Sequence, residues 1–152
     1  MIKQILPIAI LAALMISGCE KSPSDTAADV AEARKDAVEK IDEAREDASK
    51  TVIRAQDQVA DAQKNYGETD QRALNTLTAA ESDAMIKTAN AQFDVAKAEA
   101  EGRFDIEKEK CGALEGAAKD ACLSTAEAIR AEALARATKV RDDALLSAEY
   151  HN

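Results

Sequence analysis

Apolar residues recur along most of this chain at the spacing of an α-helix. The clearest pattern is an eleven-residue repeat, in which the segment EARKDA at 32–37 returns as EAREDA at 43–48. Eleven residues in three turns is about 3.67 residues per turn, close to the period of a straight helix. The pattern therefore predicts long helices whose apolar stripes run parallel to the axis, without the left-handed winding of a heptad coiled coil.

Alanine and a few branched residues form these stripes. The positions that keep the eleven-residue step are Val30, Ala33, Ala37, Ile41, Ala44, Ala48, Val52, Ala55 and Val59, and then Ala118, Cys122, Ala126, Ile129, Ala133, Ala137, Val140, Ala144 and Ala148. Small side chains bury little apolar area each, at about 25 cal/mol per Å². A single helix of this type is marginal in water, so we expect several helices packed together or an oligomer.

Glycines indicate where the helices end. Gly67 is a candidate turn, and Gly112 and Gly116 flank a second one. Gly102 stands alone and is interpreted as a weak point that the helix tolerates. We therefore predict three helices at roughly 26–66, 69–112 and 117–149.

Short connections between helices favour antiparallel neighbours. The predicted fold class is all-α: an elongated antiparallel helical hairpin or three-helix bundle with eleven-residue repeats. The alternative is one or two long rod-like helices with no reversal at Gly116. Thr26 and Asp29 resemble a capping box at the start of the first helix.

Composition and charge exclude several functional classes. The 152 residues include 20 basic and 29 acidic side chains, for a net charge of −9, and only 3% are aromatic. Few aromatics and few glycines argue against a sandwich, a barrel or a Rossmann-type sheet. The acidic balance argues against nucleic acid as a partner. With His151 as the single histidine and no nucleotide-binding or metalloprotease motif, we expect no enzyme activity, no metal site and no cofactor.

The N-terminus has the pattern of an export signal. Lys3 precedes an apolar stretch of twelve residues, Ile5 to Ile16, which only Pro7 interrupts. Crossing a bilayer takes a helix of roughly 20 residues, so this stretch is too short to span and fits the apolar region of a secretory signal. It runs directly into Ile16-Ser17-Gly18-Cys19.

Those four residues resemble the lipobox of bacterial lipoproteins: a branched apolar residue, two small residues and a cysteine. The resemblance covers only the leader. It implies cleavage before Cys19, a lipid on the Cys19 sulfur and acylation of the new amino terminus, and several acyl chains together anchor a protein firmly. The predicted organisation is a signal peptide at 1–18, an extended lipidated tether at 19–25 and a helical domain at 26–152. An ordinary secretory peptide or an uncleaved anchor is the alternative.

The same resemblance implies a place in the bacterial cell envelope, facing the periplasm, with the membrane as partner. Glu20 stands where an aspartate resembles an inner-membrane retention signal in enteric bacteria, so the outer membrane is favoured over the inner one. The pairing of lipobox and alanine-rich helix is also similar to the major murein lipoproteins. Those end in a lysine that is linked to peptidoglycan, whereas this chain ends in Asn152.

The expected function is that of a structural spacer, scaffold or protein-interaction module, with other envelope proteins or self-association as further partners. The alternative is a periplasmic stress-related chaperone or cation-binding module. The motivating features are thin cores, acidic faces and an apolar pair, Met85 and Ile86, that is expected to be exposed.

Two cysteines near Gly112 and Gly116 distinguish between the hairpin and the long-rod architecture. In an unbroken helix Cys111 and Cys122 would lie about 16.5 Å apart, whereas a disulfide needs Cα atoms within about 7 Å. A hairpin around Gly116 places them opposite each other, so a disulfide and a continuous helix exclude each other. Alternatively, both cysteines are small core residues, or they bind a metal ion. A metal site lacks ligands, because no histidine or third cysteine stands nearby in the sequence.

The segment 111–122 also carries a resemblance. Its pattern C-x-x-L-x-G-x-A-K-D-x-C is similar to a segment of small alanine-rich exported proteins of proteobacteria. The resemblance implies a paired-cysteine hairpin and nothing about activity. Those proteins tend to have an asparagine where this chain has Ala117, so a weaker cap is expected for the following helix.

Overall fold

The computed structural model describes residues 22–65 and 71–150. The leader, Cys19, the predicted turn at Gly67 and His151 lie outside the described residues. Three helices account for nearly all of the described chain: α1 (Pro23–Asn65), α2 (Gln71–Cys111) and α3 (Gly116–Tyr150). The all-α prediction is confirmed. The long-rod alternative is wrong, because the chain reverses between Cys111 and Gly116.

Helix α1 begins three residues earlier than predicted. The Ser22 hydroxyl accepts a hydrogen bond from the Asp25 N–H at 3.2 Å, and the Ser22 N–H donates to Asp25 Oδ2 at 3.3 Å. This reciprocal pair is a capping box, and Pro23 occupies the first helical position, where its missing N–H costs nothing. The capping box predicted at Thr26 is therefore wrong, and residues 23–25 are helical rather than extended.

The helices lie in one flat layer with α2 in the middle. α1 packs antiparallel on α2 and α3 packs antiparallel on α2, whereas α1 and α3 make no contact within the described ranges. Gly102 approaches α1, while Phe93 and Phe104 contact α3. At 3.6 residues per turn these positions lie on opposite sides of α2. α2 therefore has two packing surfaces where an ordinary amphipathic helix has one.

The α1–α2 seam depends on one glycine. A Cβ atom on Gly102 would lie 2.8 Å from the Cβ of Ala37, closer than two carbons pack. Gly102 thus lets the two backbones approach closely beside Ala37, and its interpretation as a tolerated weak point is wrong. The buried alanines of α1, Ala37, Ala55 and Ala62, lie on the predicted stripe or its continuation.

Polar contacts cross the same seam at its exposed edges. Arg45 bonds Glu99 at 2.8 Å, and Lys87 donates to the side-chain oxygen of Gln58 at 2.8 Å. Exposed pairs of this kind contribute about 0–1 kcal/mol each, so they set the register of the two helices more than they stabilise the layer.

The α2–α3 seam uses different contacts. The guanidinium of Arg130 lies 4.5 Å from the ring centroid of Phe104, and that of Arg141 lies 4.6 Å from Phe93. Both phenylalanines and both arginines are eleven residues apart. The eleven-residue repeat is therefore matched across the seam, and antiparallel α2 and α3 meet at equivalent levels in each repeat.

The far end of α3 is fastened by a buried side chain of α2. The Ser82 hydroxyl donates to the carbonyl oxygen of Ala148 at 2.9 Å, and Ser82 is almost fully buried. Ala148 lies in the last turn of α3, where the carbonyl oxygens have no N–H donor within their own helix. This bond satisfies both buried groups at once.

Candidate functional site

The predicted disulfide is present at the reversal between α2 and α3. Cys111 and Cys122 are bonded, their Cα atoms are 5.7 Å apart, and the Cys111 side chain is wholly buried. The prediction of a paired-cysteine hairpin is confirmed, and the interpretations as inert core residues or metal ligands are wrong because the bond uses both sulfurs.

The turn itself is short and closed by backbone bonds. The Leu114 N–H donates to the carbonyl of Cys111 at 3.0 Å, and the Lys119 N–H donates to the carbonyl of Glu115 at 3.3 Å, which starts α3. Gly116 has a φ of +51°, a conformation that is strained for residues with a Cβ. Gly116 thus supplies the left-handed conformation at which the turn ends and α3 begins.

The disulfide lies at the same end of the layer as the start of α1. Because α1 and α2 run antiparallel, Ser22 lies at the end where α2 stops at Cys111. Cys19 precedes Ser22 by three residues, so at most about 11 Å of chain separates them. The predicted lipidation site is thus confined by chain length to the disulfide end.

One broad side of the layer carries an acidic groove between α1 and α2. The groove has a volume of about 420 Å³ and is lined by small side chains together with Glu43, Asp47, Asp94 and Glu101 against a single base, Lys40. We call this side the acidic face. In the part of the chain that the structure describes, no group of three or more His, Cys, Asp or Glu side chains is arranged to hold a metal ion.

The opposite side carries an apolar groove between α2 and α3, with a volume of about 350 Å³. Its walls are mostly alanine: Ala89, Ala96, Ala100, Ala133, Ala137 and Ala144. Phe93 and Val140 complete the apolar lining, and the groove continues past Met85, which is half-buried rather than exposed as expected. We call this side the apolar face.

Charged side chains rim the apolar groove without making it acidic. Glu99 is held by Arg45 of α1, and Arg136 pairs with Glu132 one turn earlier in α3. Arg103 makes no ion pair with another described residue. The rim therefore carries charges of both signs with an excess of bases, unlike the acidic face.

Large apolar side chains remain exposed on the apolar face. Val140 and Ile129, eleven residues apart on α3, are 64% and 45% exposed. Val38 of α1 and Leu74 of α2 are also exposed and, by helical spacing, point to the same side. Ile53 and Leu146 are exposed too, but their spacing places them at the outer edges of the layer.

The perturbed ionisable groups are surface ion pairs of α1. The Lys50 ammonium lowers the pKa of the Glu46 carboxyl, and that carboxylate raises the pKa of Lys50; Asp61 raises the pKa of Lys64 in the same way. These groups are fully solvated, so they support the helix and do not indicate a catalytic centre.

Comparison with models of protein families, with curated proteins and with solved structures gives no match to this chain. Among the described helices, none combines the length and the apolar character needed to cross a membrane. The candidate functional features are therefore those of the chain itself: Cys19 of the predicted lipobox, the disulfide end and the two unlike faces.

Proposed function

We propose that this chain is a lipid-anchored protein of the bacterial cell envelope, whose helical layer serves as a spacer and protein-interaction module. The observation that carries the proposal is the sequence Ile16-Ser17-Gly18-Cys19 directly after a short apolar stretch. Acyl chains on Cys19 would hold the protein at the membrane, and no catalytic step is required.

The start of α1 makes such an anchor short. The helix begins at Pro23, only four residues after Cys19, so the helical body is held within about 14 Å of the lipidated residue. The helices, at 1.5 Å per residue, extend about 50–65 Å from there. Both faces of the helical layer would thus be exposed to the periplasm, at a distance from the membrane that the short tether and the helix length limit.

The disulfide supports export. Disulfides persist in oxidising compartments such as the bacterial periplasm, and small reduced cytosolic domains rarely contain them. Its position at the end of the layer nearer Cys19 would also fix α3 to α2 near the membrane, while the Ser82 bond to Ala148 holds the other end of the seam.

The anchor is tested by fractionation of bacteria that express the chain. Wild-type protein is expected in the membrane fraction, released by detergent but not by high salt. A Cys19→Ser variant is expected to lack the acyl chains and to be recovered in the soluble fraction without detergent. The matched control Ser24→Ala is expected to behave as wild type. Wild-type protein that is soluble without detergent would exclude the proposal.

The exposed groove favours one alternative, a periplasmic chaperone that holds unfolded clients on the apolar face. Light scattering of an aggregating client tests it: suppression by wild type that is lost in Val140→Glu would support the chaperone role. If a tenfold molar excess of this protein over the client does not suppress aggregation, the chaperone role is excluded. The excess is chosen because such surfaces bind weakly. No feature of the described residues favours the cation-binding alternative.

A further inference from the structure

The apolar stripe of α3 is wider than the seam that it packs into. Each eleven-residue unit begins with a residue that α2 leaves uncovered: Ala118, Ile129 and Val140 are all exposed. The corresponding unit starts in α1, Ile41 and Val52, are half-buried against α2. The edge of the α3 stripe formed by these residues is therefore exposed, whereas the equivalent edge of the α1 stripe is partly covered by α2.

Charge restricts what can cover this edge. The acidic face repels another acidic surface, and this chain has a net charge of −9. The rim of the apolar groove instead carries charges of both signs, with Glu99 and Arg103 on α2 and Arg136 and Arg141 on α3, and Glu132 pairs with Arg136. Acids of one copy can therefore be placed opposite bases of a second copy.

We infer that the apolar face pairs with the same face of a second copy of this chain, so that α3 of each copy lies in the α2–α3 groove of the other. The groove and the ridge formed by Ile129 and Val140 lie side by side on one face. A two-fold axis parallel to the helices places each ridge over the other groove, as a self-complementary contact requires.

The same axis brings opposite charges together. Residues that meet across the α2–α3 seam are Phe93 with Arg141 and Phe104 with Arg130. By this register Arg103 is level with Glu132, and Glu99 is level with Arg136. A parallel two-fold axis puts α3 of the second copy at the same height, so Arg103 faces Glu132 of the second copy and Glu99 faces Arg136 of the second copy.

The available area suffices for a stable dimer. α3 has 35 residues, about 52 Å at 1.5 Å per residue, and two helices packed side by side are about 20 Å wide. A face of about 1,000 Å² per copy reaches the size of specific interfaces, which bury about 800 Å² per partner. The axis also leaves both α1 starts at one end, compatible with two anchors in one membrane, although the pairing does not depend on lipidation.

Sedimentation equilibrium of the full chain in density-matched detergent tests the pairing. Wild type is expected to be a dimer at micromolar concentration, and Val140→Glu is expected to dissociate it by at least about tenfold, because a carboxylate would be buried in the apolar groove. The matched control is Leu146→Glu, which places the same charge at a residue 55% exposed on the outer edge of α3. Equal effects of both variants, or a wild-type monomer at about 100 µM, would overturn the inference.

A charge exchange tests the arrangement itself. Arg103→Glu and Glu132→Arg are each expected to weaken the dimer about tenfold, and the two together are expected to restore it, because each then faces the opposite sign again. Additive losses would overturn the parallel arrangement. Wild type that stays monomeric but binds anionic vesicles through Val140 would assign the face to the lipid surface and also overturn the inference. Loss of lipidation at Cys19 would leave all these results unchanged.

Discussion

The two seams of the layer solve the same packing problem in different ways. Between α1 and α2, Gly102 lets the backbones approach closely beside the buried Ala37, and Ala55 is buried farther along α1. Between α2 and α3, phenyl rings and guanidinium groups fill part of the seam, and an open groove remains beside them. The first seam leaves an acidic groove on one side of the layer, whereas the second leaves an apolar groove on the other.

The contrast shows what an alanine stripe requires. Alanine buries little area, so it contributes to packing only where the helices come very close. The α2–α3 seam also buries alanines, such as Ala126 and Ala148, and α3 is further secured at its two ends, by the disulfide at Cys111 and by the Ser82 bond to Ala148. Beside the middle of this seam the open groove leaves room for a further surface.

The substitution with the largest expected effect on stability disrupts the α1–α2 seam. Gly102→Val places two methyl groups where even a single Cβ would lie 2.8 Å from Ala37, so the free energy of unfolding should fall by about 2–4 kcal/mol. Urea unfolding followed by circular dichroism measures it. Ala79→Val, an exposed position on the same helix, is the control and should cost only about 0.5 kcal/mol for helix propensity. Equal losses would mean that the backbones do not approach closely at Gly102.

The next effect loosens the α2–α3 seam. Replacing Cys111 and Cys122 together with alanine should lower the free energy of unfolding by about 2–3 kcal/mol, because the denatured chain is no longer cross-linked. Hydrogen exchange should then increase in α3 more than in α1, since the α1–α2 seam is intact. Wild type treated with a reductant is the control and should match the variant. Equal acceleration in α1 and α3 would contradict the independence of the two seams.

A smaller effect is expected at the far end of the same seam. Ser82→Ala leaves the Ala148 carbonyl without its buried donor, a loss of about 1–2 kcal/mol. Amide exchange should accelerate in the last turns of α3 and remain unchanged around the disulfide. Thr78→Ala, whose hydroxyl bonds only the carbonyl of Leu74 in its own helix, serves as the control. Unchanged exchange near Ala148 would show that the bond does not secure α3.

The smallest effect concerns the outer surface of α1, which belongs to neither seam. Because Lys50 lowers the pKa of Glu46, that pair stabilises α1 at neutral pH, and its contribution is lost as the pH falls through the lowered folded pKa. In Lys50→Gln the pKa of Glu46, followed by NMR, should rise toward its ordinary value, while the distant control Lys35→Gln should leave it unchanged. An unshifted pKa in Lys50→Gln would show that the pair is not formed in solution.

Much of the fold could be predicted because the repeat is regular. The eleven-residue step identified the helices and the stripe from Val30 to Val59. Gly112 and Gly116 predicted the reversal, and the spacing of Cys111 and Cys122 showed that a disulfide would require it. The start of α1 was missed, although Ser22-Pro23-Ser24-Asp25 has the pattern of an N-cap followed by proline at the first helical position.

Other features depend on which helix lies beside which, and periodicity alone does not give that. Gly102 in isolation has the pattern of a weak point, and only the approach of Ala37 shows that a larger side chain would not fit. The rings of Phe93 and Phe104 and the arginines Arg130 and Arg141 shared an eleven-residue spacing that could have indicated the α2–α3 register. Ser82 gave no signal, because a serine within a helix has the same pattern whether it is solvated or bonded to another helix.

The central claim, a lipid anchor on an exported helical layer, is tested most directly by the intact mass of the protein extracted from bacterial membranes without reductant. We expect a chain that begins at Cys19, carries acyl groups there, and lacks two hydrogens because of the bond between Cys111 and Cys122. A chain that retains residues 1–18, or that has an unmodified Cys19, would contradict it.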